Sequence, residues 1–223
     1  MTYIALILSV LIGMVIVFGL KPSAKTVQLL LAFSGAYLLS ITILHLFPEV
    51  YISDKPNIGL FILSGLLLQL ILDFFSKGAE HGHIHIQENI DFPWGLFISL
   101  GIHAFMEGIP LGHNHHHEHL LWAIVIHKVP IAIILGTFFV KSNIPKLYAV
   151  LFLLVFSFMS PLGSLAGGNI PFLLTYRTEI TAIIIGVLLH ISTIILFETS
   201  KDHKFNLYKF IAILVGMAVA YLA

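Results

Sequence analysis

Four ionisable side chains occupy the middle of two strongly apolar stretches of this chain. His103 and Glu107 lie four residues apart in the first stretch, and His127 and Lys128 are adjacent in the second. Residues four apart lie on the same face of a helix. Ionisable groups inside a membrane cost roughly 2.5–3.5 kcal/mol each on insertion scales, so they are usually paired, buried between helices and functional. The spacing therefore favours the binding of one cation by two side chains of a single helix.

The composition indicates a membrane protein. Of the 223 residues, 58% are hydrophobic and only 10% are charged, whereas about 25% of residues are charged in a soluble domain. The formal net charge is zero, which gives no reason to expect a nucleic-acid partner. The absence of cysteine excludes disulfides and thiolate ligands, so a metal would bind imidazole, carboxylate, amide or carbonyl groups. We expect no prosthetic group.

About eight apolar stretches are long enough to cross a bilayer, which takes about 20 residues. Because every backbone polar group must be satisfied within lipid, each stretch is predicted to be a helix. No connection could hold a separate soluble domain, so residues 1–223 are predicted to form one polytopic domain of an all-α membrane protein. The predicted spans are 3–20, 27–47, 58–75, 94–111, 120–140, 147–165, 180–197 and 205–222.

Basic residues predict the orientation of these spans. They concentrate after the odd-numbered spans and are scarce on the other side, where only Lys55 and Arg177 lie. By the positive-inside rule, the odd-numbered loops face the cytoplasm and both termini lie outside it. We expect a multi-pass protein of the plasma membrane, or of the inner membrane of a bacterium.

Two connections are rich in histidine. One lies at 78–92 on the predicted inner side, and the other at 112–119 on the predicted outer side. Short histidine-rich tracts are typical of exposed, weak metal-binding segments; a polar, flexible loop without special use is the alternative. The candidate metal-capture residues are His81, His83, His85, His113, His115, His116, His117 and His119.

The fourth and fifth spans are predicted to bring their ionisable groups together. His103 lies nine residues beyond Trp94, which is roughly 13 Å into the bilayer at about 1.5 Å per residue. His127 lies at a comparable depth in the next, antiparallel span. Two imidazoles and a carboxylate suit Zn²⁺, and less strongly Fe²⁺, Mn²⁺ or Cd²⁺. Pro110 and Pro130 are predicted to break these helices, as in transporters whose unwound backbone lines a cavity.

Other polar residues are weaker candidates. His45 and Glu49, at the predicted outer end of the second span, could line a pathway or cap the helix at the interface. His190, deep in the seventh span, could be a proton acceptor or an additional ligand, or could contact another helix. Asp73, near the inner end of the third span, could flank an exit or be solvated there. The phenylalanine-rich fifth and sixth spans are predicted to face lipid.

Two motifs carry a resemblance to a known family, namely His103-Ala-Phe-Met-Glu107-Gly108 in the fourth span and His127-Lys128-Val-Pro130 in the fifth. They resemble the corresponding motifs of the ZIP (Zrt/Irt-like protein) family of divalent-metal transporters. Two further segments are similar to the family's second and sixth helices, namely Leu44-His45-Leu-Phe-Pro48-Glu49 and Ser160-Pro161-Leu-Gly163-Ser-Leu-Ala-Gly167. The number of spans, the outward termini and the histidine-rich loop after the third span also agree.

The resemblance implies roles for particular positions. His103, Glu107 and His127 match ligands of the family's primary transport site, whereas Ile131 stands where many members place a fourth ligand. Ala104 and Lys128 stand at positions of a second metal site, and an ammonium repels a dication. The resemblance is therefore to a branch with a His-Lys pair in the fifth helix and one metal site. Lys128 is expected to replace the second cation and offset the charge of Glu107, unless it snorkels or pairs elsewhere.

The sequence thus predicts a transporter and no enzyme. The expected substrate is a divalent metal, zinc first, carried through one mid-membrane site by alternating access, in contact with the lipid bilayer. The resemblance to the family implies that the metal moves toward the cytoplasm. An intramembrane zinc-dependent hydrolase is a rival, although no His-Glu-x-x-His pair and no suitably placed second carboxylate are present. A metal-sensing membrane protein without transport is another rival. The sequence leaves a homodimer open.

Overall fold

The protein is almost entirely helical. The computed structural model describes residues 1–76, 94–112, 118–141, 144–198 and 206–223, and these residues contain no β-strand. This confirms the predicted all-α fold. The helices are α1 (Thr2–Gly19), α2 (Ala24–Ile41), α3 (Phe47–Ile52), α4 (Ile58–Ser76), α5 (Trp94–Gly108), α6 (Glu118–Lys141), α7 (Lys146–Asn169), α8 (Pro171–Thr175), α9 (Arg177–Glu198) and α10 (Leu207–Leu222).

The predicted spans coincide with these helices. Seven helical stretches in the described ranges are long enough to cross a membrane, with mean hydropathies between 1.3 and 2.5. The eighth predicted span is α10, which is apolar but has 16 residues, or about 24 Å of helix. One span is not a simple α-helix, because a π-helical segment, Thr42–Leu46, joins α2 to α3.

The long helices pack in two groups. The site group consists of α1, α5, α6 and α7, and the flanking group consists of α2, α4, α9 and α10. Contacts of α2 with α6 and of α4 with α5 join the two groups. Glycines permit close approach within each group: a Cβ at Gly163 of α7 would overlap the carbonyl of Phe105 on α5, and one at Gly65 of α4 would overlap the carbonyl of Ile183 on α9. Small residues have this role between membrane helices generally.

Buried apolar side chains form two clusters at different levels of the bundle. Leu100 of α5 and Ile131 of α6 belong to the first cluster. Ile109, just beyond α5, and Ile124 of α6 belong to the second. The ionisable residues of α5 and α6 lie between these positions along their helices. Buried apolar side chains therefore pack on both sides of the ionisable residues, toward each end of the bundle.

The prediction that a proline breaks both helices is right for one of them. α5 ends at Gly108, and Pro110 lies in a 3₁₀ turn, Ile109–Gly112. By contrast, α6 continues through Pro130 as one α-helix. A proline removes only one backbone donor, and neighbouring helices make that loss tolerable in a membrane span.

The prediction that the phenylalanines of the fifth and sixth spans face lipid is wrong for most of them. Phe138 and Phe139 of α6 and Phe152 and Phe156 of α7 are at most 5% exposed, whereas Phe158 is 49% exposed. The reason is that α6 lies between α1, α2 and α7, which leaves 72% of its span buried. These rings therefore belong to the core that supports the ionisable residues.

Candidate metal site

Helix α5 presents an imidazole and a carboxylate on one buried face. His103 is 4% exposed and Glu107 is 1% exposed. Their spacing of one helical turn places the His103 Nε2 atom 3.1 Å from the Glu107 Oε1 atom, as i, i+4 neighbours on a helix permit. Two candidate ligands are thus already in contact within a single rigid helix.

Helix α6 adds a second imidazole at the same level. His127 is buried, with 1% exposure. One ligand atom from each of His103, Glu107 and His127 lies within 4.8 Å of the other two. Ligand atoms around a tetrahedral zinc lie about 3.4 Å apart, given bond lengths near 2.1 Å. A shift of about 1 Å would therefore bring these atoms to coordination distance.

The donor set is suited to a divalent transition metal. In its neutral form an imidazole offers one unprotonated nitrogen, and a carboxylate offers charge and up to two oxygens. Two imidazoles with one carboxylate match zinc sites that keep a position open for water or another ligand. Ile131, at the position where a fourth ligand was expected to be missing, is a buried apolar residue of the first cluster.

Lys128 is buried beside the carboxylate. Its exposure is 1%, and its Nζ atom lies 3.5 Å from the Glu107 Oε2 atom. The same ammonium lies 4.7 Å from the ring centroid of Phe156 on α7. The alternative that Lys128 snorkels to the membrane surface is therefore wrong. Glu107 contacts an imidazole through one oxygen and an ammonium through the other.

Helix α7 holds α5 in place next to this group. The hydroxyl of Ser160 donates a hydrogen bond to the backbone carbonyl of Ala104, one residue after His103. A Cβ at Gly108, one residue after Glu107, would overlap the carbonyl of Ser160. The small residues of the sixth-span motif thus determine how closely α7 approaches the two candidate ligands of α5.

His190 lies away from this group and pairs with Asp73 instead. The His190 Nε2 atom of α9 is 4.0 Å from the Asp73 Oδ2 atom of α4. Within the described ranges, the cluster of metal-ligand side chains consists of His103, Glu107 and His127, and His190 is not a member. The structure therefore places His190 in the flanking group, next to the residue suggested for an exit.

His45 faces a histidine of the other group. The π-helical segment contains His45, and its ring stacks on that of His119 in the first turn of α6, with centroids 4.5 Å apart and planes at 14°. Single-turn π-helical segments often occur at functional sites. Glu49 follows in the first turn of α3 and is exposed. His119 is the one histidine of the two loops that can be placed, since the other seven lie outside the described residues.

Sequence reasoning missed Phe156 as a neighbour of the site. The buried positions of α7 recur every three or four residues. Phe152 and Phe156 continue the stripe formed by Ser160, Gly163 and Gly167. That periodicity was visible in the sequence. It could have indicated that both rings share the face of the small residues that pack on α5.

Comparison with known proteins identifies a family over most of the chain. Residues 76–223 match a family model described as ZIP zinc transporter. The matched range contains His103, Glu107, His127, Lys128 and Phe156. It begins at the end of α4, so α1 to α3 lie outside it.

Individual relatives match a smaller region. Protein zntD of Dictyostelium discoideum is 36% identical over 107 residues, covering 41% of this chain and 16% of that protein. A protein named Zinc transporter ZIP1 from Danio rerio is 34% identical over 89 residues, covering 38% of this chain and 30% of that protein. The protein of the same name from Takifugu rubripes is 32% identical over 93 residues, covering 40% of this chain and 31% of that protein. The match thus spans less than a third of each relative.

Proposed function

The chain belongs to the ZIP zinc transporter family, and on that premise we propose that it carries a divalent metal ion, zinc first, across a membrane. The ion would bind at one site formed by His103, Glu107 and His127. The relatives named as zinc transporters support zinc as the substrate. The family match also favours transport over the intramembrane hydrolase.

One observation supports this proposal above the others. Three metal-ligand side chains from two helices converge within 4.8 Å in a bundle whose surroundings are apolar. Buried ionisable groups are expensive, so an arrangement of this kind within membrane spans is a functional site by default. The donor types favour zinc and also accept Fe²⁺, Mn²⁺ or Cd²⁺.

The charges at the site favour one metal ion. With both imidazoles neutral, Glu107 and Lys128 together have no net charge. The ammonium lies 3.5 Å from Glu107 Oε2, where a second dication bridged by the same carboxylate would have to bind. Because like charges repel strongly in a buried setting, Lys128 excludes that second ion.

The two helix groups offer a route for alternating access. Polar pairs lie on either side of the proposed site: His45 with His119 near the start of α6, and Asp73 with His190 in the last turns of α4 and the second half of α9. An apolar cluster lies between the site and each end. Movement of the site group relative to the flanking group would open one cluster at a time, which is how rocking-type transporters expose a fixed site.

The distribution of basic residues indicates which end of the bundle faces the cytoplasm. The positive-inside rule places the Asp73–His190 pair on the cytoplasmic side and both termini outside. The resemblance to the family supports movement toward the cytoplasm, so we propose that metal enters past His45 and His119 and leaves past Asp73 and His190. A plasma membrane, or a bacterial inner membrane, suits this direction.

The test is metal flux into proteoliposomes that contain a metal-sensitive dye. The purified protein is compared with His103→Ala and Glu107→Ala, using Zn²⁺, Fe²⁺, Mn²⁺ and Cd²⁺ in turn. The matched control is Ile102→Ala, which alters a 42% exposed residue of the same helix. We expect the control to transport zinc and both site variants to lose most of the flux. Undiminished flux in both site variants would refute the site, and no flux in the unaltered protein would refute the transport function.

A further inference from the structure

The two oxygens of Glu107 have different neighbours. Oε1 lies 3.1 Å from the Nε2 atom of His103, one of the two candidate imidazole ligands. Oε2 lies 3.5 Å from Lys128 Nζ. A metal held by His103 and His127 would bind the first oxygen, and the ammonium keeps the second. The metal and the ammonium bind different oxygens only while the ammonium remains beside Oε2.

The contact with the Glu107 carboxylate would not by itself keep the Lys128 ammonium beside Oε2. A lysine ammonium is a compact charge on a flexible stem of four carbons, so it can rotate from one carboxylate oxygen to the other. The ring of Phe156 lies 4.7 Å from Nζ, within the roughly 6 Å range of an attractive cation–π contact. Both residues are at most 3% exposed, and removal from water strengthens such contacts.

We propose that Phe156 is a positioning residue that sets the affinity of the transport site for metal. Its ring holds the Lys128 ammonium against Oε2 and away from Oε1. Without the ring, the ammonium competes with the metal for the ligand oxygen. An incoming dication also repels the ammonium, and the ring then helps Glu107 Oε2 to keep it in place. This inference rests on the proposed function and adds a residue to its site.

The surroundings of Phe156 make the idea testable by substitution. On the side of the α5–α7 contact, the ring borders an apolar cavity of about 200 Å³, lined also by Phe97, Gly101, Val155 and Met159. Phe156→Tyr keeps the aromatic face and adds one hydroxyl to a ring that borders this space. Phe156→Leu removes the aromatic face and leaves an apolar side chain.

Phe152 provides a matched control on the same helix. It lies one turn before Phe156, is 2% exposed, and packs against the rings of Phe97 and Phe139. Phe152→Leu therefore removes the same atoms from the same packed stripe. A loss of affinity due to packing alone would affect both leucine variants.

The experiment measures zinc binding to the purified protein by calorimetry and zinc uptake by proteoliposomes. A desolvated cation–π contact is worth about 2 kcal/mol, so Phe156→Leu is expected to raise the Kd and the KM for zinc by about 10- to 30-fold with little change in kcat. Phe156→Tyr and Phe152→Leu should stay close to the unaltered protein. In a Lys128→Met background, Phe156→Leu should have no effect on the Kd, because no ammonium remains to be held.

Two results would overturn the inference. One is a Kd that Phe156→Leu leaves unchanged in a protein that does bind zinc. The other is an equal loss of affinity with and without Lys128, which would show that the ring acts through packing alone. If the unaltered protein binds no zinc, the proposed function fails, and this inference fails with it. The zinc Kd of the unaltered protein therefore distinguishes a failure of the proposed function from a failure of the proposed role of Phe156.

Discussion

Replacing Lys128 by glutamate should convert the site from one metal ion to two. The substitution exchanges a buried cation for a carboxylate facing Glu107 Oε2, which now lies 3.5 Å from Nζ. Two carboxylates at about that distance repel by about 4 to 5 kcal/mol at an effective dielectric constant near 20. A second dication bound between the two acids removes this repulsion and gains attraction from both. The repulsion between the ammonium and a second dication would thus be replaced by attraction to a second carboxylate.

The assay is the metal content of purified protein after equilibration with zinc and removal of free ion, checked by the stoichiometry in calorimetry. The unaltered protein should bind one zinc ion at the membrane site and Lys128→Glu should bind two. Because the histidine-rich loops are candidate zinc-binding segments, both proteins are compared after His81, His83, His85, His113, His115, His116 and His117 are replaced by serine. A neutral control, Lys128→Gln, removes the ammonium without adding an acid and should bind one ion.

The reasoning fails if Lys128→Glu folds, binds its first zinc and gains no second. That result would mean that a metal ion cannot bind where the Lys128 Nζ atom now lies. Lys128 would then matter only as a partner for Glu107. A second ion in Lys128→Gln would contradict the account in a different way, since charge would not be what limits the site to one metal.

Three further substitutions test the packing and the pathway. Gly163→Ala should lower the melting temperature, because its Cβ would overlap the Phe105 carbonyl and overpacking costs about 1–3 kcal/mol; Gly101→Ala, whose Cβ would lie 3.9 Å from the nearest atom, should not. His45→Ala should raise the KM for zinc uptake with little change in kcat, because it removes one of two stacked imidazoles at the proposed outer end. His190→Ala should slow turnover and leave the Kd for zinc unchanged, because it lies outside the ligand cluster.

A different result in each of these three experiments would contradict the reasoning behind it. Equal melting temperatures for the two glycine variants would show that the α5–α7 contact adjusts at no cost. An unchanged KM in His45→Ala would remove the outer pair from the pathway. A weakened Kd in His190→Ala would mean that this residue reaches the metal, as the alternative of an additional ligand requires.

The fold and the convergence of His103, Glu107 and His127 could be anticipated because both depend on short-range regularities. Apolar runs of bilayer length predicted the helices, since backbone groups in lipid must bond within their own segment. The spacing of His103 and Glu107 predicted one shared face, and the short connection between the spans brought His127 opposite. All three are properties of one helix or of two adjacent ones.

Relations between distant segments could not be anticipated in the same way. Hydropathy does not distinguish a phenylalanine buried between helices from one facing lipid, so Phe156 was assigned to the wrong surface. His45, which stacks on His119, lies in a π-helical segment, Thr42–Leu46, just before Pro48. A proline disturbs the helical turn before it, but the sequence does not show which distant ring the shifted side chain meets. The pairing of Asp73 with His190 depends on how α4 packs on α9, for which neither segment alone carries a signal.

The most direct test of the account is X-ray absorption spectroscopy at the zinc edge on the zinc-loaded protein. The protein carries serine in place of the loop histidines His81, His83, His85, His113, His115, His116 and His117. The account predicts a shell of nitrogen and oxygen atoms at about 2.0–2.1 Å, with two imidazoles that fall to one in His127→Ala. A zinc shell that keeps the same number of imidazoles in His127→Ala would contradict it, because the ion would then be bound somewhere other than between α5 and α6.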